Sequence, residues 1–145
     1  MDNKSPSKNK HIAPWFARLT MSIVFTWNVL CAFGFIFTPE RFIGAYELTG
    51  TPGTIALQGL GIAFLMWNAT YPPAILNPTK HLMLFRVILV QQLIGLIGES
   101  FLLLSLDNSY HILAGSIVRF IVFDAAGLII MLASYILLVK SKYSR

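Results

Sequence analysis

Two apolar runs, Leu82 to Leu106 and Ile112 to Val139, constrain this chain more than anything else in it. The first carries Arg86 and Glu99 as its only charges, the second Arg119 and Asp124. Each is long enough to cross a hydrocarbon core about 30 Å thick at the helical rise of about 1.5 Å per residue. A soluble fold of 145 residues cannot cover that much apolar surface, and only 12% of the side chains are charged, against about a quarter in soluble domains.

Two shorter runs, Leu19 to Phe37 and Thr54 to Thr70, complete a set of four. The expected fold is therefore all-α, an integral membrane four-helix bundle spanning residues 14–140. Residues 1–13 and 141–145 form basic tails, the first of them polar, unpatterned and expected to be disordered. "YPPAIL" after the second run puts Tyr71 at the interface and stops the helix with Pro72 and Pro73. "PERFIGAYELTGTPGT" predicts a short surface helix entered at Pro39 and left at Gly50. The first run is longer than a secretory signal core and lacks a small-x-small cleavage site, so it reads as a retained helix.

Lys and Arg are held back on the cytoplasmic side of a membrane. Lys4, Lys8, Lys10, Arg18, Lys80, Arg86, Lys140, Lys142 and Arg145 fall on one side of this four-span arrangement, and Arg41 alone on the other. Both termini are thus expected in the cytoplasm. Basic tails suit anionic lipid headgroups; the apolar runs leave no basic face with interleaved aromatics for nucleic acid.

Counted from the outer face, Glu99 and Arg119 lie at the same depth, roughly 10 Å down, on consecutive antiparallel helices. An isolated charge there costs at least about 2.5 kcal/mol, so an ion pair between them is expected, with Gln58 as a hydrogen-bonding third member. Asp124 lies near the midplane without a cation at its level, and Asn28 and Gln92 are its candidate partners. Gln92, Gly95 and Glu99 share one helical stripe that should face the bundle. Gln91, Asn68 and Asn28 read as interhelical hydrogen-bond glue, and the small residues Gly59, Gly61, Gly98, Ala125, Ala126 and Gly127 permit close helix approach. Arg86 is placed to snorkel to the headgroups. Glu99, Arg119 and Asp124 are open to three readings: packing, a ligand or ion site, or contact with another subunit.

No span offers paired histidines for a haem, since His11, His81 and His111 sit in loops or at helix ends. The single Cys31 gives neither a disulfide framework nor a redox pair, and reads as a packing residue. No nucleophile elbow, phosphate-binding glycine loop or zinc motif is present. Asp107 with His111 reads as a solvated turn.

"FTPERF" closing the first helix, "ALQGLGIAF" in the second, "LFRVILVQQLIGLIGE" in the third and "VRFIVFDAAGLIIML" in the fourth resemble the DoxX-like group of small bacterial membrane proteins. That resemblance implies a four-helix bundle in a bacterial inner membrane and an accessory role; no family catalytic residue maps onto this chain. Three functions follow as expectations. The first is a non-enzymatic accessory or ligand-binding subunit, working with a partner membrane protein or as a homo-oligomer. The second is a small homodimeric transporter in which Glu99 or Asp124 carries a proton. The third is a quinone- or lipid-binding subunit of a redox complex, with Gln58, Glu99 and Arg119 at the headgroup and Phe64, Trp67 and Phe123 along the tail.

Overall fold

The computed structural model describes residues 9–143. These form helices α1 (Asn9–Phe37), α2 (Gly50–Asn68), α3 (Tyr71–Leu76), α4 (Leu82–Ser105) and α5 (His111–Tyr143), with no β-strand among the described residues. Three of them, α1, α4 and α5, are long and apolar enough to cross a membrane, which marks an integral membrane protein. The 19-residue α2 is not in that set. Four glycines, two threonines, Pro52 and Gln58 within it dilute its apolar content.

α1 and α5 form the central antiparallel pair; α2 packs against α1, α4 against α5, and α3 bridges α1 and α4. One end of the bundle holds the start of α1, the end of α5 and α3, the other the connections at 38–49 and 106–110. The dense core lies toward the termini end, where Ala13, Ala17, Met21 and Val24 of α1 meet Tyr71, Phe85, Ile88 and Met131. A buried bond between Thr20 Oγ1 and Ser134 Oγ, 2.9 Å, joins the central pair there. On the opposite face of α1, Ile12, Trp15, Leu19, Ile23, Leu30, Phe33 and Phe37 are exposed. A helix apolar on both faces is one whose outer surface meets lipid.

Several local expectations change. α1 begins at Asn9, ten residues before the expected start, because Ala13 and Ala17 are buried in the core and carry the helix back through Pro14. Residues 9–13, expected to belong to a disordered tail, are part of α1; residues 1–8, 144 and 145 lie outside the described residues. "PERFIGAYEL" forms two 3-10 turns, Pro39–Arg41 and Ile43–Tyr46, in place of one surface helix. Gly50 opens α2 with φ +62°, a conformation glycine tolerates and other residues rarely adopt. Pro72 and Pro73 stand in the first turn of α3, where a missing N–H is harmless. Tyr71 is 0% exposed: it packs on Phe25 at 5.8 Å in the core, covered by protein in place of the expected interfacial exposure.

Candidate functional site: two cavities that share a wall

The half of the bundle toward the loops is held by aromatic rings and contains two cavities. The larger, about 260 Å³, lies between α1, α5 and the two 3-10 turns, lined by Trp27, Cys31, Phe35, Phe42, Ala45, Tyr46, Ser116, Arg119, Phe120 and Phe123. Trp27 stacks on Phe123 at 5.5 Å, and Phe42 and Tyr46 meet Phe35 edge-on at 5.2 and 5.6 Å. The turns are strapped onto α5 by two bonds. Ser116 Oγ donates to the Ala45 carbonyl at 2.6 Å, and Glu47 Oε2 accepts the Leu113 N–H at 3.3 Å. Leu113 lies in the first turn of α5, whose N–H groups have no partner within the helix.

The smaller cavity, about 80 Å³, lies between α2 and α4 and is floored by α1 and α5. Its lining is Asn28, Phe64, Trp67, Asn68, Gln92, Gly95, Glu99, Phe120 and Asp124. Gln92, 2% exposed, donates from Nε2 to Asp124 Oδ1 at 2.8 Å and accepts the Tyr71 hydroxyl at 3.5 Å. Gly95 makes the room: a methyl group there would stand 2.7 Å from Asp124 Oδ2. The stripe of Gln92, Gly95 and Glu99 thus faces the bundle, and of the two partners expected for Asp124 it meets Gln92. Asn28 lines the same cavity. Phe120 belongs to both linings and packs edge-on against Phe64 at 6.0 Å.

The expected Glu99 to Arg119 ion pair is not formed. Arg119 donates to the Gly115 carbonyl at 3.2 Å and to Ser116 Oγ at 3.4 Å, while Glu99 Oε2 is buried with no hydrogen-bond partner. The two residues line different cavities: Arg119 the aromatic one and Glu99 the acid-lined one. Gln58 does not join them either; its Nε2 donates to the Ile36 carbonyl at 3.0 Å and ties α2 to α1. Phe123, expected beside Phe64 and Trp67, lines the other cavity. Asn68 spends its amide hydrogens on its own helix, at Phe64 O, whereas Gln91 does bridge helices, accepting from Thr70 Oγ1 at 3.2 Å. Arg86 donates to the Tyr135 hydroxyl at 2.6 Å, so it braces α4 against α5. Asp107 accepts the Ser109 N–H at 2.8 Å, which holds its carboxyl below the ordinary range, in a turn as expected.

Sequence reading missed Trp27, Tyr46 and Ser116 as site residues. Ser116, Phe120, Phe123 and Gly127, at i, i+4, i+7 and i+11 on α5, carried a signal for the inner face of that helix. Against known proteins, no family model, curated protein or solved structure matches the chain.

Proposed function

We propose that the chain is a non-enzymatic, multi-pass protein of a bacterial inner membrane that binds an amphiphile, an isoprenoid quinone or another lipid, as an accessory subunit. The observation carrying this reading is Arg119: a guanidinium with no carboxylate partner among the described residues, lining an aromatic cavity of about 260 Å³. Ligand cavities usually hold about 300–1,000 Å³. This one suits a ring-sized headgroup with oxygen acceptors, its tail leaving along the apolar exterior. Arg119 supplies the donors, and Trp27, Phe42 and Phe123 supply flat apolar contact.

The proposal includes four crossings, with both termini in the cytoplasm, and membership of the DoxX-like group. Support for α2 as a crossing comes from its 19 residues, about 28 Å at the helical rise, and from the nine cationic residues on one side of that arrangement against Arg41 on the other.

Native mass spectrometry of the full chain from mild detergent, with identification of bound lipid, tests the reading. A stoichiometric quinone or other defined lipid is expected on the wild type. It should be lost from Arg119→Leu and from Cys31→Phe, whose ring fills the cavity. Wild-type protein free of ligand, or a lipid retained by Cys31→Phe, would reject it. The second reading, a homodimeric proton-coupled transporter, draws on the meeting of Glu99 and Asp124 in one cavity; Glu99→Gln or Asp124→Asn would then abolish proton movement in vesicles.

A further inference from the structure

The acid-lined cavity has a surplus of acceptors. Asn68 is 3% exposed, and its Oδ1 is buried without a hydrogen-bond partner. The orientation of that amide is settled, because Nδ2 donates to Phe64 O at 2.8 Å, and a flipped amide would set two oxygens against each other. Glu99 Oε2 is a second buried acceptor without a donor. Gln92 gives its amide hydrogens to Asp124 and turns its oxygen to Tyr71. No lysine, arginine or histidine enters the lining. Buried acceptors in native proteins are almost always satisfied, and leaving one bare costs about 1–3 kcal/mol, more when it is charged.

We infer that this cavity is a binding site for a small monovalent cation, an alkali-metal ion of sodium size or less, held by Asn68, Glu99 and Asp124. A volume of about 80 Å³ admits a bare ion with one or two waters, each water taking about 30 Å³. Calcium takes 6–8 oxygen ligands and magnesium a near-ideal octahedron. Only two carboxyl groups line this cavity, and among the described residues no three His, Cys, Asp or Glu side chains group as a metal site. A single charge with a weakly held hydration shell suits two carboxyl groups and an amide oxygen. The site shares only Phe120 with the aromatic cavity, and the inference does not rest on the amphiphile reading.

Thermal unfolding of the full chain in detergent, titrated with sodium, lithium, potassium or choline chloride at matched chloride, tests it. Ligand that binds only the folded state raises Tm saturably. Sodium or lithium should do so where choline does not. The apparent sodium affinity should fall at least about tenfold in Asn68→Leu and in the isosteric Glu99→Gln, each of which removes one contact to the ion. Gly98→Ala, whose methyl group meets nothing within 4 Å, should respond like the wild type. Equal Tm in all four salts overturns the inference, and so does a sodium response that survives both substitutions.

Discussion

Replacing Gln92 by leucine would leave the Asp124 carboxyl and the Tyr71 hydroxyl without the partner that now joins them. A loss of about 1–3 kcal/mol is expected, measured by chemical unfolding in detergent micelles. The double variant Gln92→Leu with Asp124→Leu should recover part of it, because no polar group is then stranded. Glu47 makes a different test. Its φ of 52° places an L-residue in the left-handed region, at about 1–2 kcal/mol, and its carboxylate caps α5 from outside the helix. Glu47→Ala keeps the strain and loses the cap, so about 1 kcal/mol is expected to go, together with faster amide exchange at Leu113. Glu47→Gly loses both and should be nearer neutral. At this scale the sequence discloses depth but not azimuth. The helical rise is fixed, so Glu99 and Arg119 could be set at one level by counting. Which way each side chain turns depends on how α5 is rotated against α1 and α4, and no local pattern encodes that rotation.

Close helix approach is uneven along the elements, and single methyl groups can measure it. At Gly61 an added Cβ would meet the Ala32 carbonyl oxygen at 2.8 Å and Ile36 Cγ1 at 2.8 Å, whereas at Gly59 it would meet nothing. Gly61→Ala should therefore push α2 off α1 and lose about 1–3 kcal/mol, while Gly59→Ala should be neutral or slightly stabilising, as alanine favours helix. Paired unfolding curves decide it. Helix existence was legible because long apolar runs have few alternatives. α3 was not: its six residues begin with a tyrosine and two prolines that read equally well as a stop. The difference lies in Tyr71, whose burial needs α1 and α4 to be in place. The outer connection escaped for a similar reason, since its two turns are held by bonds to α5, sixty-six and seventy-one residues away in sequence.

For the whole molecule the first question is how many times the chain crosses. In a Cys31→Ala background, Asn108→Cys and Lys142→Cys can be labelled with a membrane-impermeant maleimide on intact cells. Four crossings with an internal amino terminus predict reaction at position 108 from outside and at 142 only after permeabilisation. Insertion with the opposite orientation would exchange the two results. The bundle has one further property. Phe120 is a wall of both cavities, so an occupant that turns its ring on one side alters the volume on the other. Occupants of the two cavities would then be thermodynamically linked through one side chain, and reciprocity would require each to change the other's affinity by the same factor. Phe120→Ala would merge the two compartments and remove that dependence, turning two mutually informed binding events into one undivided space.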